Sequence, residues 1–161
     1  MAARNNLATS PAREPEDRTL VITRVFNSPR ALVFKAWTDP KTTLQWMGPR
    51  SHPAVHVEQD VREGGAWRIC LRPKDGSRDL WQGGIFHEIT PPERLIFSFA
   101  WDQADGSKGP ETLVSITFAE HQGKTTMTFR QSVFDTTSNR DGHNGGWNSA
   151  FDRLEEMLVQ A

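Results

Sequence analysis

"HNGGWNSAFDRLEEML", residues 143–158, decides how this chain folds. Trp147, Phe151, Leu154 and Leu158 recur at spacings of four, three and four, which is one stripe on a helix. Asp152, Arg153, Glu155 and Glu156 mostly line the other side. Such a stripe needs an apolar surface to cover. Gly145 and Gly146 stand directly before it, and a residue without a Cβ permits unusual φ values or a close approach of neighbouring chain. The helix is therefore expected to begin at this point, with Asn144 or Asp141 as its cap. The glycine pair makes room either for a sharp turn of the chain, the simpler reading, or for a helix start that shifts as a ligand enters.

The surface to be covered lies upstream. "AVHVEQDV", "GGAWRICLR", "LWQGGIFHEI", "RLIFSFAW", "ETLVSITFAE" and "GKTTMTFRQSVF" alternate apolar and polar residues and are separated by short turn sequences. Connections this short predict an antiparallel meander, because parallel crossovers need a dozen or more residues. Alternation puts Trp67, Ile69 and Leu71 on one face, and likewise Leu95, Phe97, Phe99 and Trp101, then Val114, Ile116 and Phe118, then Met127, Phe129 and Gln131. Arg68, Arg72, Thr117, Thr126, Thr128 and Arg130 fall on the opposite, solvated face.

Ahead of the meander, "TLVITRVF" (19–26) reads as a first strand. Ser28 as N-cap and Pro29 at the first position open a helix carrying Leu32, Val33, Ala36 and Trp37. Asp39 and Pro40 repeat that grammar for a second short helix reaching about Met47. The expected fold class is α+β: a curved seven-stranded antiparallel sheet around a long C-terminal helix, with two short helices after the first strand closing its mouth.

Composition narrows the function classes. The chain has 161 residues, enough for one domain, and its 19 basic and 20 acidic residues give no footprint for nucleic acid. No apolar run approaches a membrane span, and a single cysteine, Cys70, cannot form an internal disulfide. Residues 1–17, rich in charge and proline and without the apolar core of a secretory signal, are expected to be a disordered tail before a single domain over 18–161. A cytoplasmic setting follows as the expectation.

Four stretches in this order and spacing carry a resemblance: "LVITRVFNSPRALVFKAWTDPKTTLQWMGP", "GGAWRICLRPKDG", "GGIFHEITPPERLIFSF" and "GGWNSAFDRLEEML". Together they resemble the activator of heat-shock-protein-ninety ATPase homologue family (AHSA-like), of the START-like or SRPBCC superfamily, over residues 19 to 161. The resemblance implies the helix-grip fold of the birch-pollen-allergen type, with an apolar cavity between sheet and long helix. Two features depart from the family pattern. Trp46 is followed by Met47 where a second tryptophan is usual, and "FDTTSNRDGHN" before the last helix is shorter.

Given that fold, the residues expected to line a site for a hydrophobic or aromatic small molecule are Trp46, Trp67, Ile69, Trp81, Phe86, Phe97, Phe99, Trp101, Val114, Ile116, Met127, Phe129, Gln131, Trp147 and Phe151. Gln131 and His87 are the expected polar anchors. The plainer alternative is that these side chains fill the core. His52, His56, His87, His121 and His143 lack the paired spacings of a zinc site, so neither metal nor cofactor is expected. For catalysis of the cyclase-like or hydrolytic kind the candidate acids and bases are His87, Glu88 and His143, with Glu58 and Asp60 if they face inward. The second reading, ahead of catalysis, is a chaperone-linked module with a heat-shock ATPase as candidate partner; a second copy of the chain is a further candidate partner, since homodimers are the commonest oligomers.

Overall fold

The computed structural model describes residues 16–160. The tail expected over 1–17 lies outside the described residues except for Glu16 and Asp17. Seven strands form one antiparallel sheet in the order β1-β7-β6-β5-β4-β3-β2. They are β1 (Leu20–Phe26), β2 (Ala54–Gln59), β3 (Ala66–Leu71), β4 (Leu80–Thr90), β5 (Arg94–Trp101), β6 (Thr112–His121) and β7 (Lys124–Ser132). Helices α1 (Arg30–Thr38) and α2 (Pro40–Trp46) follow β1, and α3 (Thr137–Gln160) closes the chain. Among the described residues, no helix is long and apolar enough to cross a membrane.

The alternation read from the sequence holds across the sheet. Leu95, Val114, Ile116, Met127 and Phe129 are fully buried on one face, and Trp147, Phe151, Leu154 and Leu158 of α3 pack over it. The rings of Trp37, Phe129, Trp147 and Phe151 meet in pairs at centroid distances from 4.7 to 6.3 Å. Offset and edge-on contacts of this kind add to the area term. Where β4 crosses β5, a Cβ on Gly84 would lie 1.9 Å from the Ser98 carbonyl oxygen, so only glycine lets the strands approach there.

Of the local expectations around α1 and α2, one holds and others are corrected. Asp39 does cap α2, accepting from the Lys41 N–H at 3.1 Å, with Pro40 at the first position. Ser28, however, does not cap α1: Pro29 itself occupies the cap, and the Ser28 carbonyl instead accepts from the Thr125 hydroxyl at 2.6 Å. Leu32 turns to solvent at 42 % exposure while Phe34 takes its place in the core.

The largest correction concerns α3. It begins at Thr137, well before Gly145 and Gly146, which therefore lie inside a helix and mark no turn. The cap is neither Asn144 nor Asp141. The Thr136 hydroxyl accepts from the Asn139 N–H at 3.0 Å, satisfying one of the free donors of the first turn. A Cβ on Gly142, Gly145 or Gly146 would meet nothing within 4 Å, so no close approach requires these glycines.

Glycine inside a helix costs backbone entropy without a compensating contact. Gly145→Ala is therefore expected to stabilise the protein by about 0.5–1 kcal/mol in urea denaturation. A loss of stability would show that residue 145 needs a non-helical backbone.

Candidate functional site

A cavity of about 350 Å³ lies between the N-terminal half of α3, the loop after α2 and strands β3 to β5. Its inner walls are Met47, Leu71, Leu80, Gln82, Phe99, Trp101 and Trp147; Gly48, Pro49 and His52 form one side of the rim. Asn139, Gly142, His143, Gly146 and Ala150 of α3 form the other side. The spacing from 142 to 146 to 150 is that of a helix face, so a strip without large side chains is turned to the cavity. Of the glycine pair, only Gly146 borders the cavity, together with Gly142; Gly145 lies outside the lining.

Gly48 holds the opposite rim in shape. Its φ is +87°, and a Cβ there would sit 2.4 Å from the His52 carbonyl oxygen. The Arg153 guanidinium reaches from α3 to the Met47 and Gly48 carbonyls at 2.9 and 2.8 Å and to Gln45 at 3.1 Å. It thereby satisfies the Gln45 carbonyl at the end of α2 and ties the rim to the helix. Arg50 adds an ion pair with Glu156, and its backbone N–H donates to the Ser149 hydroxyl at 3.0 Å.

Among the described residues, no aspartate, glutamate, lysine or arginine lines the cavity. Its titratable groups are His52 and His143. The Trp101 indole donates to His143 Nε2 at 3.0 Å, and the imidazole packs on Phe134, Phe99 and Trp101 at centroid distances of 4.8, 5.4 and 5.9 Å. Burial lowers the His143 pKa from 6.5 to about 4, against a smaller upward pull from Asp135. The ring is neutral at ordinary pH, with Nε2 as acceptor and the proton on Nδ1.

A smaller chamber of about 20 Å³ lies further in. Met47, Gln82 and Trp147 belong to the walls of both spaces, and Trp37, Gln59, Trp67, Ile69, Phe86 and Phe97 complete the inner one. Two residues of this lining carry a buried polar atom, Trp37 Nε1 and Gln59 Oε1, with no hydrogen-bond partner among the described residues. Leaving such a group unpaired costs about 1–3 kcal/mol, so each of these atoms stands out in an otherwise well-paired interior.

The residues expected at a ligand site divide into four sets. Phe99, Trp101 and Trp147 border the main cavity, and Trp67, Ile69, Phe86 and Phe97 border the inner chamber. Trp46, Val114, Ile116, Met127, Phe129, Gln131 and Phe151 are core and border neither. Trp46 donates its indole N–H to the Ala36 carbonyl at 2.9 Å, locking α2 onto α1. Trp81 is on the opposite face of the sheet. It pairs across from Cys70, with the Arg68 guanidinium 5.0 Å from its ring and Arg68 held in two bonds of 2.9 Å by Asp102.

Of the expected polar anchors, Gln131 is buried but spent on the core, and His87 is exposed. Glu58 pairs with His56, Asp60 with Arg62, and Glu88 with the Thr90 hydroxyl. Only His143 among the suspected acids and bases borders the cavity. Leu80, Gln82, Met47 and the small residues of α3 were missed, although Leu80 and Gln82 follow from alternation against Leu71 and Ile69. Among the described residues, no group of three or more potential ligands is placed to hold a metal.

The sequence pattern of the family described as "Activator of Hsp90 ATPase homolog 1-like protein" matches residues 27–159. The chain belongs to this family. Solved structures share its fold at low identity. A protein from Chromobacterium violaceum superposes with a TM-score of 0.78 at 22 % identity, over 87 % of this chain and 96 % of that one. The AHSA1 protein of Silicibacter pomeroyi gives 0.77 at 22 %, over 88 % and 98 %. A protein from Arthrobacter aurescens, solved by NMR, gives 0.79 at 21 %, over 91 % and 88 %. No curated protein matches the chain.

His143 offers a direct check on the site. Its folded pKa is depressed, so the neutral ring contributes stability above pH 6.5, and that contribution is lost as pH falls toward about 4, where the folded ring takes up its proton. In NMR titration its ring signals should move with a midpoint near 4, and the fall in Tm across this window should be shallower in His143→Asn. A midpoint of about 6 or above would mean an imidazole in contact with water.

Proposed function

We propose that this protein binds a neutral, largely apolar small molecule in the cavity between α3 and strands β3 to β5, and carries or senses it without transforming it. The lining supports this reading: about 350 Å³ bounded by aromatic and aliphatic side chains, with a few polar groups and, among the described residues, no aspartate, glutamate, lysine or arginine. A charged guest would be desolvated there without a counter-charge, which is costly. Turnover is disfavoured because acid–base chemistry needs a poised group facing the guest. His143 already spends its acceptor nitrogen on Trp101.

A heat-shock ATPase partner has the family description behind it and no feature of the described surface. A cytoplasmic setting fits the free, buried thiol of Cys70.

The test uses N-phenyl-1-naphthylamine, a neutral apolar fluorophore. It should bind at one site per chain with enhanced emission. Gly146→Leu places a side chain from α3 into the cavity and should weaken binding by about tenfold or more, as over-filling a packed space does. Gly145→Leu, one position round the helix and away from the lining, should bind as the unaltered protein does. Equal binding by both variants would put the probe elsewhere.

A further inference from the structure

We infer that the inner chamber is a hydroxyl site: it receives one neutral O–H group of the molecule whose apolar body fills the main cavity. This rests on the proposed cavity reading and adds the chemical class of the guest. Two of the residues that line the chamber carry buried groups of opposite hydrogen-bonding sense with no partner among the described residues. Trp37 Nε1, on a residue 3 % exposed, is a donor; Gln59 Oε1 is an acceptor. The Gln59 amide cannot exchange these roles, because its Nε2 donates to the Trp37 carbonyl at 2.8 Å and an oxygen in that place would face another oxygen.

The size of the chamber selects the group. About 20 Å³ holds one water-sized centre, which admits a hydroxyl and excludes a carboxylate or phosphate. Charge selects in the same direction, since among the described residues no cation borders the chamber. A hydroxyl oxygen accepts from the indole while its proton goes to Gln59 Oε1, whereas an ether or ketone could satisfy only the indole. Met47, Gln82 and Trp147 wall both spaces, so a guest that spans them passes between these three side chains; the unbranched thioether of Met47 adapts readily to a guest.

The experiment is displacement of N-phenyl-1-naphthylamine by naphthalene and by 1- and 2-naphthol, on the full chain and on the Trp37→Phe and Gln59→Leu variants. Naphthalene is the more apolar competitor and should win in a purely greasy cavity. With the hydroxyl site present, at least one naphthol should displace the probe at a concentration about tenfold lower than naphthalene, and this preference should collapse in Trp37→Phe, which keeps an aromatic ring and loses the donor. Gln59→Leu should behave alike. Binding of probe and naphthalene with no preference for either naphthol, or a preference that survives both substitutions, would overturn the hydroxyl site and leave the cavity standing. Failure of the probe itself to bind would remove both.

Discussion

The Trp147 indole N–H donates to Gln131 Oε1 at 2.8 Å, Gln131 Nε2 donates to the Thr112 hydroxyl at 2.8 Å, and that hydroxyl reaches the Phe99 carbonyl at 3.3 Å. This buried chain runs from α3 through β7 and β6 to β5, and the rest of the architecture hangs on it. Apolar contacts between a helix stripe and a sheet are tolerant of sliding. A fully paired polar chain is not, because any shift of register leaves one of its members unpaired inside the protein. It therefore fixes where along the sheet α3 lies.

From that fixed point the helix divides in two. Toward its C-terminus, Phe151, Leu154 and Leu158 continue the stripe and close the core. Toward its N-terminus, the inward positions are Gly146, His143, Gly142 and Asn139, too small or too polar to fill the space above Leu71, Leu80 and Phe99. The cavity is thus the consequence of one helix changing character at Trp147. Arginines tie the arrangement at its edges: Arg24 of β1 to Asp152 at 2.8 Å, and Arg153 to the carbonyls after α2.

Much of this was legible in the sequence. The two-residue period of the strands, the Pro29 and Pro40 punctuation and the Trp147 to Leu158 stripe give element order and core. Two failures are instructive. Trp81 was expected inside because it is aromatic, yet Trp81 and Phe86 sit an odd number of residues apart and cannot share a face unless a bulge intervenes. The irregularity in β4 lies between Phe86 and Glu88, too late to help, so Trp81 faces outward over Arg68. The start of α3 was hidden because "TSNRDGHNGG" is weak helix-forming sequence. Thr136 as cap and the tertiary anchor at Trp147 override that preference. The unpaired atoms of Trp37 and Gln59 had no sequence signal, since pairing is a property of three-dimensional neighbours.

The fold accordingly combines a rigid, hydrogen-bonded grip with an apolar space beside it that its own chain leaves room for. Native mass spectrometry of the protein purified gently from its own cells tests this most directly. The account predicts a discrete added mass of small-molecule size, one per chain and lost on denaturation. A bare-chain mass alone, under conditions in which added N-phenyl-1-naphthylamine stays bound, would contradict it.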